Sequence, residues 1–251
     1  MTYTMTFDYH THTYFSHGIV PWKPHGRGTM EENVKAAVSR GLKGIAISDH
    51  GPGHMAYGVR RGDLQLQRRE TDRLRALYPD IEIYLSVEAN ILDSGTNLDV
   101  VRKDFGKYDF VIAGYHFAVR HCGSMSNYLI NHGMIGSTKR KNAVLVRNTD
   151  RVVKCLYEND LKILTHPGSK AAVDMAEVAR ACADTGTWME ISAHHAHLTV
   201  DEIKTAAREN VEFVISSDAH SPDVVGTFGE GMKRAEAAGL DVSRIVNIEK
   251  A

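Results

Sequence analysis

The stretch FVISSDAH, residues 213–220, joins a run of apolar residues to a carboxylate and an imidazole that follow it directly. A short, continuously apolar run is typical of a strand buried on both faces of a parallel sheet. The same combination recurs upstream as DFVIAGYH, residues 109–116, and as GIAISDH, residues 44–50. Because the carboxyl ends of parallel strands are where such folds build their sites, these stretches predict one polar site assembled from several strands.

Predicted strands alternate with helical patterns along the whole chain. The strands are predicted at Thr4–Tyr9, Gly44–Ser48, Ile81–Val87, Asp109–Ala113, Lys162–Leu164, Thr187–Ile191 and Val211–Ser216. The helices are predicted at Thr29–Arg40, Asp63–Tyr78, Leu98–Phe105, Asn142–Asn159, Ala171–Thr185, Thr199–Asn210 and Ser221–Ala238. This alternation predicts an α/β fold, either a doubly wound open sheet or a closed barrel. No linker-like segment interrupts it, so residues 1–251 are expected to form a single domain.

The composition excludes several classes of protein. Thirty Lys and Arg residues against thirty-one Asp and Glu residues give a formal net charge of -1, so no overall field favours nucleic acid or an anionic membrane. Three widely spaced cysteines (Cys122, Cys155 and Cys182) favour a reducing compartment, and we expect a cytoplasmic protein. The first twenty residues lack the pattern of a signal peptide, and no run approaches the roughly 18 apolar residues of a membrane span. No membrane partner is therefore expected.

Six of the seven predicted strands end on His, Asp or Glu. The residues at these ends are His10, His12, Asp49, His50, Glu88, His116, His166, Asp218 and His220. The pairs His10/His12 and Asp218/His220 are two positions apart, so both members of a pair face the same side of an extended chain. Imidazole and carboxylate ligands with no thiol nearby suit Zn²⁺, Mn²⁺ or Fe²⁺. The strand ends therefore predict a metal site.

The segments HTHTYFSHG, SDHG, VEANI, GYH, THPG and SSDAH resemble, in this order, the motifs of the polymerase and histidinol phosphatase (PHP) superfamily over residues 8–220. The pattern is most similar to stand-alone phosphoesterases of that superfamily, which have a trinuclear metal site. The resemblance implies a distorted (β/α)7 TIM-like barrel, and the seven predicted strands agree with that count.

The resemblance also implies how the ligands would be divided. A first ion would be held by His10, His12, Glu88 and Asp218. Glu88 would bridge to a second ion that also binds His116 and His166. A third ion would bind His17, His50 and His220, with His25 as a rival to His17 on the same glycine-rich stretch. Two or three divalent ions are therefore expected, zinc first, with manganese or iron as alternatives.

Other histidines and one carboxylate are expected to have roles other than metal binding. His194, His195 and His197 follow the sixth predicted strand, where the superfamily does not usually supply a ligand, and are expected to face substrate, support a ligand or lie on the surface. Asp49 would point away from the ligand face and could orient a ligating imidazole. His54, His121 and His132 lie in the long connections 51–62 and Tyr115–Lys141 and are expected to be solvated. The second connection is expected to fold as a loop over the site.

A cluster of two or three divalent ions, about 3.5–4 Å apart, can bind phosphoryl oxygens, activate water and stabilise the leaving oxygen. Glu88 and Asp218 are therefore expected to act in catalysis through the ions, with Arg120 as the first candidate to bind phosphate. Other cations in loops after strands are Arg60, Arg61, Lys139, Arg140 and Lys170. The sequence predicts a phosphomonoesterase that uses a metal-bound hydroxide on a small phosphorylated metabolite, with histidinol phosphate as the first guess.

Three other functions stay open. The superfamily includes proofreading domains, so a 3′–5′ exonuclease or nucleotide phosphodiesterase is the main alternative, although the chain has no basic stripe with interleaved aromatic residues. A C–N hydrolase of the amidohydrolase kind also uses an HxH motif, but often has a carboxylated Lys where this chain has Glu88. A non-catalytic metal-binding protein is disfavoured because no ligand of the pattern is missing. Neither the physiological substrate nor the oligomeric state follows from these residues.

Overall fold

A computed structural model describes residues 2–17, 25–60, 62–119, 124–134 and 136–250 of the protein. Its strands are β1 (Tyr3–Met5), β2 (Phe7–Thr11), β3 (Gly44–Ile47), β4 (Glu82–Leu85), β5 (Glu88–Asn90), β6 (Ile112–Gly114), β7 (Ile163–Leu164), β8 (Trp188–Ser192), β9 (Phe213–Ser216) and β10 (Ile248–Lys250). Its α-helices are α1 (Met30–Ser39), α2 (Leu64–Leu77), α3 (Arg102–Phe105), α4 (Ser124–Asn131), α5 (Thr138–Glu158), α6 (Met175–Thr185), α7 (Val200–Ala206) and α8 (Gly229–Ala238).

Strands β2 to β9 form two parallel sheets that follow one another around the molecule, and β1 pairs with β10 in a separate antiparallel sheet. The first sheet has the order β2-β3-β4 and the second has the order β5-β6-β7-β8-β9. Strands β4 and β5 are parts of one extended run, separated by Ser86 and Val87. At the other junction, the His12 N–H donates to the carbonyl of Ala219 at 2.7 Å and connects the end of β2 to the end of β9. The predicted α/β class and TIM-like seven-strand order are confirmed, whereas a single domain over residues 1–251 stays a prediction.

Burial of the strands in the core explains why their sequences are uninterrupted apolar runs. Every residue of β3 and of β9 is buried, as expected for parallel strands covered on both faces. The thiols of Cys155 and Cys182 are free and buried, whereas Cys122 lies outside the described residues. Within the described part of the chain, no helix is both long enough and apolar enough to cross a membrane.

Local signals fix helix α1. The Thr29 side chain accepts from the Glu32 N–H at 3.1 Å, and the Glu32 carboxylate accepts from the Thr29 N–H at 2.7 Å, which completes a capping box. Gly41 follows the helix with a φ of +72°, a conformation that favours glycine. The predicted start and end of this helix are confirmed.

The bounds of several predicted elements differ from those in the structure, and the two largest differences are in the connection after β6 and at the last predicted helix. Within Tyr115–Lys141, expected as a loop, residues Ser124–Asn131 form α4 and α5 already begins at Thr138. The predicted helix Ser221–Ala238 instead starts at Gly229, after a 3-10 turn at Pro222–Val224. The Gly226 N–H donates to the buried Asp8 carboxylate at 2.7 Å, which ties this segment to β2 and prevents a continuous helix.

Candidate metal centre

The ends of six strands bring eight of the predicted ligands into one cluster. Its members are His10, His12, His50, Glu88, His116, His166, Asp218 and His220. Four groups of ligand atoms lie within 4.8 Å of one another: His10/His12/Asp218, His50/Glu88/His116, His12/His50/His220 and His166/His195/Asp218. The last group includes His195, which the sequence did not favour as a ligand.

The Glu88 carboxylate lies at the centre of the cluster and is completely buried. Its Oε1 atom lies 3.2 Å from Nε2 of His116 and 3.0 Å from Nε2 of His166. Its Oε2 atom faces three other imidazoles, with distances of 3.4 Å to His10, 3.7 Å to His12 and 2.9 Å to His50. Thr165 donates to Oε1 at 2.8 Å and helps to fix the carboxylate. The two oxygens therefore face two different sets of ligands, which is the geometry that a bridging carboxylate needs.

One half of the cluster has the dimensions of a tetrahedral ion site. The Nε2 atoms of His10 and His12 are 3.0 Å apart, and the Oδ1 atom of Asp218 lies 3.6 and 3.3 Å from them. Zinc ligands at about 2.0–2.1 Å in a tetrahedron are about 3.3 Å apart. Glu88 Oε2 lies 3.4 and 3.7 Å from the same two nitrogens, distances that suit a fourth ligand of the same ion.

Buried ligand atoms without hydrogen bonds support the same interpretation. Among the described residues, no hydrogen bond reaches Oε2 of Glu88, Oδ2 of Asp218, Nε2 of His50 or Nε2 of His220. Unsatisfied buried polar atoms are unfavourable, and several that converge on one point are expected where a cation binds. The donor set therefore fits divalent metal ions.

Burial sets the protonation of several of these groups. It lowers the pKa of His220 to about 2 and that of His12 well below its ordinary value, with neighbouring imidazoles adding to the effect. It raises the pKa of Asp218 to about 7, although His10 and His166 oppose the shift. The low pKa values keep His12 and His220 neutral at physiological pH, so their nitrogen lone pairs are available to a metal.

Two ligand residues adopt backbone conformations that favour glycine. His166 has a φ of +29° and Asp218 a φ of +51°, in or beside the left-handed region. Non-glycine residues adopt it rarely and at a free-energy cost, and such residues concentrate at functional sites. These turns directly follow β7 and β9.

Groups behind the ligands hold the rings in place. His10 Nδ1–H donates to Glu190 Oε1 at 2.8 Å, and the other oxygen of Glu190 accepts from the His166 N–H at 2.8 Å. His116 Nδ1–H donates to Asn90 Oδ1 at 2.8 Å, while the Asn90 amide donates to the half-buried Asp99 at 2.6 Å. These contacts leave the Nε2 atoms of His10 and His116 directed at the cluster.

Asp49 has a less direct role than expected. Its carboxylate accepts from Thr13, from Gln67 and from the Ser16 hydroxyl, the last at 2.6 Å. It reaches an imidazole through Ser16, whose hydroxyl lies 3.5 Å from Nδ1 of His12. Asp49 therefore supports the loop after β2.

The remaining histidines lie at different places relative to the cluster. His17 lies 3.8 Å from Asp63, whereas the His25 ring is centred 4.2 Å from His220 and 5.5 Å from His50. His197 pairs with Glu202 at 2.9 Å beside the start of α7. His132 is exposed, as expected, and His121 lies outside the described residues. The expectation of a solvated His54 is wrong, because this ring is only 7% exposed and its Nδ1 accepts from the Tyr57 N–H at 3.0 Å.

A cavity of about 380 Å³ opens onto the cluster. Besides the ligand candidates, the residues that line it include His25, His54, Tyr57, Phe117, Lys170 and His194. Of the predicted phosphate-binding cations, Lys170 lines the cavity, whereas Arg60, Lys139 and Arg140 are exposed outside its lining. Arg61 and Arg120 lie outside the described residues.

Comparison with known families agrees with this geometry. The sequence model of the PHP domain matches residues 8–219, which begin just before the first HxH pair and end just after Asp218. The chain belongs to the PHP domain family.

Individual PHP domain relatives are similar over almost their whole length. A protein of Syntrophotalea carbinolica named "Probable phosphatase" is 29% identical, over 89% of this chain and 86% of its own. A "Probable phosphatase" of Thermoanaerobacter sp. strain X514 is 27% identical, over 98% and 91%. Among solved structures, histidinol phosphate phosphatase from Lactococcus lactis, complexed with zinc, L-histidinol and phosphate, has a TM-score of 0.59. It is 15% identical to this chain, with 95% of each chain covered, and shows the shared fold.

Sequence reasoning missed two supporting residues of this PHP domain. Glu190 lies inside the buried strand β8, and Asn90 ends β5 next to Glu88. A signal for Glu190 was present, because a lone carboxylate in the run TWMEIS is out of place in a buried strand unless it has a partner. Asn90 has no comparable signal, since its role depends on the position of His116.

Proposed function

We propose that the protein is a metal-dependent phosphatase that hydrolyses phosphate monoesters of small metabolites. The observation that carries this proposal is the buried Glu88 carboxylate, whose two oxygens face separate sets of imidazoles at 2.9–3.7 Å. The relatives named "Probable phosphatase" support the reaction class.

The ligand assignment within this proposal is the one that the family resemblance implies. His10, His12, Glu88 and Asp218 would hold one ion, and Glu88, His116 and His166 a second. His50 and His220 would hold a third ion together with His17 or His25. Zinc is the first expectation and manganese or iron are the alternatives, because imidazole and carboxylate accept all three. Bound divalent ions would supply Lewis-acid chemistry for the phosphoryl group and for water.

The residues of the chain would position the reactants. Glu190 and Asn90 keep the Nε2 atoms of His10 and His116 directed at the cluster. The Lys170 ammonium lines the same cavity and would bind anionic oxygen of the substrate. Arg120 stays a prediction for phosphate binding. No covalent intermediate with a protein nucleophile is needed for hydrolysis at such a site.

A substrate panel tests the proposal. The metal-loaded protein would be assayed with p-nitrophenyl phosphate, bis-p-nitrophenyl phosphate, histidinol phosphate, nucleotides and single-stranded DNA. We expect p-nitrophenyl phosphate to be hydrolysed much faster than the diester or DNA. Faster hydrolysis of single-stranded DNA or of the diester would replace the proposal with a nuclease or phosphodiesterase function.

A further inference from the structure

Few charged side chains line the cavity next to the cluster in the described part of the chain. Among the described residues that line it, Lys170 is the only Lys or Arg and Asp218, itself a ligand candidate, is the only carboxylate. The residues outside the described ranges include no Asp or Glu, since they are 1, 18–24, 61, 120–123, 135 and 251. A carboxylate for a positively charged part of a substrate therefore cannot come from those segments.

Lys170 is held at the cavity by a specific turn. After His166, the chain turns through Gly168, which has a φ of +91°, and the Ser169 N–H donates to the carbonyl of His166 at 3.0 Å. A Cβ atom at Gly168 would lie 2.9 Å from the His197 ring, so this close approach requires glycine. The Asn131 side chain of α4 donates to the carbonyls of Ser169 and Lys170, both at 3.3 Å. The ligand His166 and the ammonium are thus placed by one short segment.

The Lys170 ammonium is available to a ligand. Within the part of the chain that the structure describes, it makes no ion pair, and its Nζ lies 5.6 Å from the centre of the Phe117 ring. Burial lowers the pKa values of His194 and His195 on the same cavity, and the positive charge of Lys170 adds to this effect. The half-buried ammonium therefore acts on the interior of the cavity.

We propose that Lys170 is the residue that sets substrate specificity, and that the cavity selects phosphate monoesters whose alcohol part is anionic or neutral over those whose alcohol part carries an ammonium group. This inference rests on the proposed phosphatase function and refines its substrate class. Lys170 attracts a second anionic group of the substrate and repels an amine, and no free carboxylate in the lining compensates. Phe117 and Tyr57 would contact the apolar part of the alcohol. Histidinol phosphate, which carries an amine, is then a poor substrate.

Aromatic walls alone would attract an amine through cation–π contacts. Here the Phe117 ring already has the Lys170 ammonium near it, so a second cation would meet like charge. Repulsion between juxtaposed like charges is stronger than the attraction of a cation to a ring, so it outweighs the aromatic attraction. The cavity should therefore disfavour a substrate that carries an amine.

Binding and turnover would be measured with ligands of similar size whose end group is anionic, neutral or cationic. Calorimetry with the metal-loaded protein would use 3-phosphonopropionate, butylphosphonate and 3-aminopropylphosphonate. Kinetics would use 3-phosphoglycerate, glycerol 3-phosphate and phosphoethanolamine, with p-nitrophenyl phosphate as a general substrate. The variants are Lys170→Met and Lys170→Glu, with Lys154→Met as control, because Lys154 is exposed on α5 outside the cavity lining.

We expect the wild type to bind the anionic phosphonate about tenfold or more tightly than the aminoalkyl one. Lys170→Met should abolish most of this ratio, Lys170→Glu should invert it, and Lys154→Met should leave it unchanged. The effect should appear in KM more than in kcat. A wild type that prefers the amine, or a Lys170→Met variant that weakens all three ligands equally, would overturn the inference. If p-nitrophenyl phosphate is hydrolysed in that case, the phosphatase proposal still stands; if no monoester is hydrolysed, that proposal fails.

Discussion

Glu190 accepts a hydrogen bond from Nδ1 of His10 at 2.8 Å, although the two residues are 180 positions apart in the chain. Both side chains are fully buried, and the contact directs Nε2 of His10 at Glu88 and Asp218. The second Glu190 oxygen fixes the backbone of His166. One carboxylate on β8 therefore orients ligands that come from β2 and β7.

Replacing this carboxylate should weaken metal binding while sparing the metal ligands themselves. Partners of ligating histidines are typically worth 10–100-fold in metal affinity. We expect Glu190→Gln to lower the affinity for zinc by about that factor, measured by competition with a chelator, with Glu236→Gln on the exposed face of α8 as control. Equal affinities in the two variants would show that Glu190 has only a structural role.

The Glu88 carboxylate should be essential for both activity and metal content. Glu88→Gln keeps the side-chain shape but removes the charge and one ligand oxygen that two sets of histidines share. We expect activity to disappear and at least one metal equivalent to be lost, with the circular dichroism spectrum unchanged. A variant with near-normal kcat and full metal content would contradict the bridge.

Metal removal tests the number of sites. Elemental analysis of the native protein should find two or three divalent ions per chain, and dialysis against a chelator should abolish activity. Added zinc or manganese should restore it and should also raise Tm, because a ligand that binds only the native state stabilises that state. One equivalent or less, with no gain on reconstitution, would argue against a multinuclear centre.

His25 and His17 are alternative candidates for the third ion. The His25 ring lies against His220 and near His50, whereas His17 lies beside Asp63. We expect His25→Ala to release more metal than His17→Ala, with elemental analysis of both proteins prepared in parallel. A larger loss in the His17 variant would assign the third site to His17, as the family resemblance implies.

The fold was predictable because its signals are local. Buried parallel strands are visible as apolar runs such as 213–216, and a capping box marks the start of α1 at Thr29. Strand β10 was missed, and β1 was merged with β2 in the predicted strand Thr4–Tyr9, because β1 and β10 have only three residues each and pair with one another across most of the chain. Neither of these short segments has a sequence pattern that predicts so distant a partner.

Most of the cluster was predictable because each ligand lies at or shortly after the end of a predicted strand. The supporting contacts were not, because they depend on which strands are neighbours: Glu190 reaches His10 from β8, and Asn131 reaches the Lys170 segment from α4. The prediction that the Tyr115–Lys141 connection is a loop was wrong at α4, where Tyr128 packs against Phe117 at 5.3 Å between ring centres. Tertiary contact therefore stabilises a helix that its own sequence signals weakly.

Burial of His54 should make the metal-free protein less stable in acid. Burial lowers the pKa of His54 to about 2, and its Nδ1 accepts from the Ala56 and Tyr57 N–H groups, so protonation would break these bonds. The unfolded state, with a pKa near 6.5, binds the proton first, so this contribution is complete above pH 6.5 and decreases as pH falls. It amounts to at most about 3 kcal/mol between pH 6.5 and 4. His54→Asn keeps an acceptor but cannot titrate, so denaturant unfolding should show a flatter pH dependence than in the wild type. Parallel pH profiles of the two proteins would contradict this assignment.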